Sequence, residues 1–592
     1  MLLQDGKDFS VLLFENPLRI WKGERLMEVV ESDVLVVGGG GAGAMAALKA
    51  SENSAKVCIV IKGGLNKCGS TPMAMGAASA VGPWHSPNDS KDIHFTDTVK
   101  GGAYLNEQKL VRILAEEAPE RVLELERLGA FWERTDSGEN YLLRIDGGHS
   151  YPRSIYLEDR PGSEMLKAMK GELIHRNVQI IENVMIALLL TDEDRVSGAL
   201  GINVYTGDFM IFKTKSIVLA TGGAGQIYEY TTQDVRNTGD GFALALQAGA
   251  NLVDMEFVQF FPIGLIFPES TKGLIVGAMY YSYLLNKDGE RFMKNYDAKR
   301  MELSTRDIVS RAVFTEIKEG RGTKRGGVYC DMTYQPPGYI KKQLPLVYTF
   351  CDKLGMNVEK NKLEVAPTCH FFMGGIKVNE KWESSFPGIF AAGEAAGGVH
   401  GANRLSQNSL ADIMVSGARA GKYAAIYASK ARRPKINQSS IKQEQKKIEE
   451  IITNDLKDSI YPWQIKTKIK EVMWKNVGIY RDGEGLKKAL EQILTMKKVD
   501  LPRVGISTKT KTFNRELIEA LEVSNLFLAC EAIIRAALDR KESRGAHFRN
   551  DYPNLDNQNW LKHIGIKLTK DKFELLDQPV DLSEVKPGGE GK

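Results

Sequence analysis

The 592-residue chain is poor in the residues that build metal or disulfide frameworks. Its six cysteines (Cys58, Cys68, Cys330, Cys351, Cys369 and Cys530) stand far apart, with no pair at ligand or cluster spacing. A disulfide scaffold, a zinc site and an iron–sulfur cluster built by this chain are therefore not expected, and reduced thiols in a cytoplasmic setting are. No uninterrupted apolar run reaches the roughly 18 residues of a membrane span. Asp5, Lys7, Asp8 and Glu15 break up any signal-peptide core. Membrane association is thus expected only indirectly, through a partner. One-signed charge is lacking as well: 79 basic and 75 acidic residues leave a net charge of +4, without a basic arm. That balance excludes an electrostatic footprint for nucleic acid. No internal repeat or long low-complexity tract is present.

Against these absences stands a clear nucleotide-binding signature. The apolar run Val34 to Val37 reads as a buried parallel strand, followed by Gly38-Gly39-Gly40-Gly41-Ala42-Gly43 and the helix-forming stretch Ala44 to Ala50. Val57 to Ile61 returns as a second strand, completing a βαβ unit. In such a unit Gly38 permits the tight turn, Gly40 lets backbone reach a pyrophosphate, and Gly43 lets helix and strand pack closely; Gly41 lies at the helix N-terminus facing the phosphate. An acidic residue normally ends the second strand and binds the ribose, but Ile61 and Lys62 stand there, so ribose recognition must differ.

Further strands are expected at Ile180-Ile181 and at Ser216 to Ala220, the latter running into Thr221-Gly222-Gly223-Ala224-Gly225. Residues 255–366 are irregular and aromatic, and Gly388 to Glu394 resumes the strand-to-glycine style. The expected fold is α/β: a Rossmann-like FAD-binding domain (33–254 and 367–431) with an inserted α+β capping domain (255–366). An N-terminal extension (1–32), a helical domain (432–550) and a C-terminal tail (551–592) with a mobile last dozen residues complete it. Ile441 to Leu456 and Asn514 to Arg540 carry the helical spacing.

Several stretches then resemble the flavoprotein subunit of succinate dehydrogenase and fumarate reductase, a family that includes L-aspartate oxidase. They are Gly239-Asp240-Gly241, Asp254 to Phe260, Thr305 to Arg311, His370 to Gly375, Gly393 to Leu405, Asn408-Ser409-Leu410, and Ser543 to His547 before Asp551-Tyr552-Pro553. The resemblance spans roughly residues 33 to 563. It implies FAD, with Glu394 on the ribityl chain, Ser409 and Leu410 at the isoalloxazine and Asp240 on the adenosine side. Lys62, Ser70, Thr71 and Gly76 join that cofactor-binding set. Respiratory members attach FAD to a histidine before Gln-Gly-Gly, whereas Cys68 to Gly76 contains none, so the FAD is expected to be non-covalent.

The resemblance also implies hydride exchange between flavin N5 and a carbon of a CH–CH or C=C bond, with Arg306 trading a proton and His370 and Arg404 gripping a carboxylate. On the residues alone, Arg306 could instead pair within Arg306-Asp307-Arg311. His149 is expected to be structural.

This chain departs from its relatives on the opposite wall. Phe261-Pro262-Ile263 replaces a His-Pro-Thr, and Val276 to Tyr283 replaces a Thr-Glu pair and the Arg-Gly-Glu-Gly of the proton relay. An unpartnered buried polar group costs roughly 1 to 3 kcal/mol, so a second carboxylate would sit poorly against Phe261 and Ile263. A monoacid, ester, thioester or aromatic substrate is expected, with electrons supplied by an iron–sulfur or other redox subunit. Tyr280, Tyr281 and Tyr283 either supply protons or pack a domain interface. Succinate dehydrogenase or fumarate reductase proper, L-aspartate oxidase, and an electron-transfer module without substrate chemistry remain alternatives.

Overall fold

The computed structural model describes residues 27–84, 86–454 and 458–588. The expected N-terminal extension lies outside them up to residue 26. Five parallel strands form the central sheet, in the order Ile389–Ala391, Ser216–Leu219, Val34–Val37, Val57–Ile61, Gln179–Glu182. Its three middle strands are buried at every residue, which is why they read as continuous apolar runs rather than as alternating ones.

Helix Gly41–Glu52 lies against the long helix Asn408–Lys430. Glycines set this approach: a Cβ on Gly417 would meet Ala42 O at 2.5 Å, and one on Gly421 would meet Ala46 O at 2.0 Å. The crossing brings the N-termini of both helices to one place, although their sequences are more than three hundred residues apart. On the other side lies a second sheet that sequence patterning did not signal, in the order Glu28–Glu31, Phe209–Lys213, Arg195–Asn203, Val184–Asp192.

Above the C-terminal ends of the parallel strands sits an antiparallel sheet ordered Val258–Leu265, Leu363–Phe372, Val328–Asp331, Tyr283–Leu285. It has a hydrophobic core of its own, including Ile263, Leu284, Val309, Val328 and Cys351. Helix Arg306–Lys318 backs onto its first strand.

Helices Gln438–Thr453, Pro462–Asn476, Gly483–Val499 and Arg515–Asp539 form the helical layer, each with a buried stripe such as Ile441, Ile448 and Ile452. The chain then returns as a hairpin, Lys562–Thr569 with Lys572–Pro579, that pairs with Leu252–Val253. Within that end Glu584 and Val585 are anchored, which corrects the mobility expected there as far as residue 585. Val585 is buried beside Phe95, Val99 and Val111, and Gln108 Nε2 donates to its carbonyl at 2.7 Å. No helix among the described residues is long and apolar enough to cross a membrane.

Candidate flavin and substrate site

One continuous cavity runs from the glycine loop to the antiparallel sheet, lined along its way by Gly38, Lys62, Thr71, Asp240, Glu394, Ser409, Leu410, Arg306, His370 and Arg404. The glycines divide their tasks there. Gly38 has φ +114°, and its Cβ would meet Ala220 O at 2.2 Å; a Cβ on Gly43 would meet Gly38 O at 2.0 Å. Both are required by the protein's own packing. A Cβ on Gly40, by contrast, would meet nothing nearer than Thr71 Oγ1 at 3.5 Å, so its missing side chain leaves an open cradle.

Helix Gly41–Glu52 has no side-chain cap and no acid in its first turn. Its Gly41 N–H donates to Thr71 Oγ1 at 3.0 Å, and the remaining orphan donors suit a phosphate. Thr221 Oγ1, buried on the same cavity, has no partner among the described residues. Cradle, helix end and orphan hydroxyl together fit the pyrophosphate of FAD. Ser70 also lines the cavity, its Oγ receiving Asn237 Nδ2 at 3.2 Å. Gly76 is needed because Gln407 occupies the place of its Cβ, with Gln407 Oε1 accepting Ala77 N–H at 2.8 Å.

At the end of the second strand, Lys62 Nζ lies 2.8 Å from Asp240 Oδ2 and 2.6 Å from Glu522. Burial works against its charge, but the two carboxylates prevail and hold its pKa above the ordinary lysine value. Asp240 Oδ1 receives the Thr238 hydroxyl and Asn525 Nδ2, each at 2.9 Å. Asp240 therefore reaches the cavity with both oxygens engaged by protein, and Lys62 stands with it where an acidic residue was missing.

Glu394, in the short turn Gly393–Ala395 that follows strand Ile389–Ala391, accepts Phe372 N–H at 2.9 Å and a very short bond from Gln233 Nε2. Burial raises its carboxyl to about 7 against the pull of those donors and of Arg404.

The far end is built from three elements. Arg306 opens its helix, His370 sits on strand Leu363–Phe372, and Arg404 precedes the long helix. Arg306 Nη1 and Arg404 Nη2 both donate to Gln259 Oε1, at 3.2 and 3.0 Å. Gln259 is fixed by donating to Asn403 Oδ1 at 2.8 Å and to the Arg404 carbonyl at 2.9 Å. The Nε of each arginine has no partner among the described residues. The pairing alternative for Arg306 does not occur, because Asp307 bonds Arg311 at 2.8 Å and Asn403 at 3.1 Å.

Burial, then mutual repulsion with Arg306, works against the Arg404 charge; at rest the Arg404 guanidinium nonetheless keeps its proton. Two positive charges thus face the cavity without a contacting carboxylate among the described residues. His370 Nδ1 lies 2.8 Å from Thr232 Oγ1, and burial with the two arginines drives its pKa far below the ordinary value. It is a neutral hydrogen-bonding group.

Opposite stands an apolar face. Phe261 packs 5.2 Å from the His370 ring with the Arg306 guanidinium 5.0 Å over it, and Ile275 and Met75 continue the lining. Ile263, expected beside Phe261, lies instead in the core of the capping sheet, because the strand's register shifts between Phe261 and Gly264. Of the three tyrosines, Tyr280 lines the cavity. Tyr283 stacks on Tyr334 at 4.0 Å, and the Tyr281 ring packs 6.1 Å from Tyr339. His149 Nε2 meets the Ser406 carbonyl at 2.7 Å, a structural contact.

Sequence reasoning missed Gln259, Arg144, Asp146 and Gln407. Gln407 carried no local signal beyond its place before Asn408, where its φ of +64° caps the long helix.

With this geometry in place, comparison with known proteins is direct. Residues 33–410 match the FAD binding domain family and residues 466–591 the fumarate reductase flavoprotein C-terminal family. The chain is 43% identical over 536 residues, 89% of its length and 95% of the relative's, to a subunit of the fumarate reductase (CoM/CoB) of Methanothermobacter marburgensis. It is 34% identical to a fumarate reductase flavoprotein subunit of Mycobacterium tuberculosis, covering 94% of this chain and 98% of that one. Among solved structures it superimposes on FrdA of E. coli quinol fumarate reductase with a TM-score of 0.89 at 30% identity, covering 95% and 99% of the two chains.

Proposed function

Because the chain belongs to the family of fumarate reductase and succinate dehydrogenase flavoprotein subunits, and is an FAD-dependent oxidoreductase of that family, we propose that it reduces the C=C bond of an α,β-unsaturated substrate bearing one carboxylate. The observation that carries this reading is the pair Arg306 and Arg404, converging on Gln259 with no contacting carboxylate among the described residues, opposite Phe261.

FAD, held by the Gly40 cradle, the helix N-terminus, Glu394 and the Ser409-Leu410 turn, supplies a hydride when reduced. Arg404 and neutral His370 hold the substrate carboxylate, the arginine by charge and the histidine as a hydrogen-bond partner. Arg306 gives a proton to the carbon next to the one receiving hydride. Phe261, Ile275 and Met75 exclude water and receive the apolar part of the substrate.

A second reading, reduction of fumarate itself, is favoured by Arg144, a third guanidinium on the cavity. That charge already has Asp146 Oδ1 3.4 Å from its Nε, which is why the monoacid reading ranks first. Anaerobic mixing of the reduced holoprotein with crotonate, trans-cinnamate or fumarate separates them by the recovery of flavin absorbance. Rapid reoxidation by crotonate or cinnamate is expected, and reoxidation by fumarate alone would overturn the pocket reading.

We further infer that the FAD is not covalently bound, since no histidine occurs between Cys68 and Gly76. Acid precipitation should release all flavin into the supernatant. Electrons reach the flavin from an iron–sulfur or other redox subunit, in keeping with relatives named as subunits. Any membrane association of this cytoplasmic chain runs through such a partner.

A further inference from the structure

The family's proton path, a glutamate and an arginine on the capping domain, is missing from Val276 to Tyr283. A different group reaches the same place. Tyr280 lies on the short turn Met279–Tyr281, whose residues point about 120° apart, so one of its tyrosines faces the cavity while its neighbour packs inward.

Tyr280 lines the same cavity as Arg306 and faces its charge, and its hydroxyl receives Gln407 Nε2 at 3.4 Å. The Arg144 guanidinium lies 5.1 Å over its ring. Gln407 is itself aimed by a carboxylate: its Nε2 also donates to Asp146 Oδ1 at 3.1 Å. Asp146 Oδ2 is buried without a hydrogen-bond partner among the described residues. An oxygen that receives an N–H of Gln407 and stands between the Arg306 and Arg144 charges is well placed to carry negative charge briefly.

We propose that Tyr280 restores the proton that Arg306 gives to substrate, and that Asp146, acting through Gln407, positions it. The proposal rests on Arg306 being the proton donor. In each turnover the C=C bond takes a hydride from reduced FAD and a proton from Arg306, so two C–H bonds replace one π bond. The O–H bond of Tyr280 then breaks as the N–H bond of Arg306 re-forms, and the phenolate takes a proton from water entering the cavity. The relay itself takes up one solvent proton per double bond reduced; the other hydrogen of the product is the hydride, whose proton enters when the flavin is re-reduced. Burial lifts the Tyr280 phenol to about 12 and lowers the Arg306 guanidinium below its ordinary value. Burial thus disfavours the charged form of each group, which narrows the difference between the two as proton donors.

The test separates the first turnover from later ones in the Tyr280→Phe holoenzyme. Reoxidation of the pre-reduced flavin by crotonate or cinnamate, a single event that starts with Arg306 protonated, should stay within about threefold of the wild type. Steady-state reduction of the same acid by reduced methyl viologen should fall on the order of 10²-fold and acquire a solvent deuterium isotope effect. Asp146→Asn should show the same split more weakly, and Asp146→Glu should recover part of the loss. Equal slowing of both phases would mean that Tyr280 only packs the wall, and no slowing of either would remove it from the path; both results overturn the proposal. If the wild type reduces none of crotonate, cinnamate and fumarate, the functional reading itself falls and takes the relay with it.

Discussion

Arg306 and Arg404 share a single acceptor, the Oε1 of Gln259, at 3.2 and 3.0 Å. An amide oxygen can hold two guanidiniums side by side without neutralising them, so their charge remains for a ligand. Gln259→Glu would place the anion inside the protein and compete with the substrate carboxylate. Loss of a charged hydrogen bond of about 1.5 to 3 kcal/mol corresponds to roughly 10- to 100-fold weaker binding. Titration of the oxidised holoprotein with crotonate, followed by the shift in flavin absorbance, measures it. Binding as tight as in the wild type would show that the arginines do not form the anion site.

Gly40 and Gly43 are alike in sequence and opposite in duty. Gly43→Ala forces a Cβ to within 2.0 Å of the Gly38 carbonyl, a backbone group that cannot swing aside. The protein should lose FAD and melt earlier, by an overpacking cost of about 1 to 3 kcal/mol or more. Gly40→Ala has room in the protein, with Thr71 Oγ1 at 3.5 Å as its nearest neighbour. It should keep the melting point of the FAD-free wild type while the flavin-to-protein absorbance ratio falls. Full FAD content in Gly40→Ala would move the pyrophosphate away from that cradle.

What could be read beforehand follows from how local each cause is. The glycine loop and the strand feeding it depend on residues within one βαβ unit, and the family stretches around Glu394 and Ser409 carry their own backbone geometry. The partners of Lys62 could not be read, because Asp240 and Glu522 come from two other helices. The hairpin Lys562–Pro579 was hidden for another reason. Its turn residues Lys570 and Asp571 both take positive φ, +48° and +63°, without the glycine that usually marks such a turn. Tyr280 could not be told from Tyr281 and Tyr283, since the rotation of one short turn decides which ring faces the cavity.

Glu394 should make the FAD-free protein sensitive to pH. Burial raises its carboxyl from an ordinary 4.5 to about 7. Between those values the folded chain keeps a proton that the unfolded chain has released, so stability is lost as pH rises through this window and is flat above it. The contribution is about 3 kcal/mol. Urea unfolding of wild type and Glu394→Gln at pH 5 and pH 8 reads it as a drop of the wild-type midpoint relative to the variant. A constant difference at the two pH values would show that Glu394 is ionised throughout.

Lys62 ties the cavity's adenosine end to the helical layer, because Glu522 lies on helix Arg515–Asp539 and Asp240 opens helix Asp240–Ala248. Lys62→Met fills the same space but leaves Asp240 without its cation and Glu522 with Lys466 alone, 2.9 Å away, a loss of about 3 to 5 kcal/mol. Burial alone would lower the lysine's pKa, but Asp240 and Glu522 hold it above the ordinary value. Its contribution is therefore complete below the ordinary lysine pKa and fades only as pH rises through the raised one. The melting deficit of Lys62→Met should be equal at pH 6 and pH 9. Adding Asp240→Asn to Lys62→Met should recover part of it by removing one unpaired charge. A deficit that vanished at pH 9, or a double variant less stable than Lys62→Met, would show that the three side chains do not act as one ion cluster.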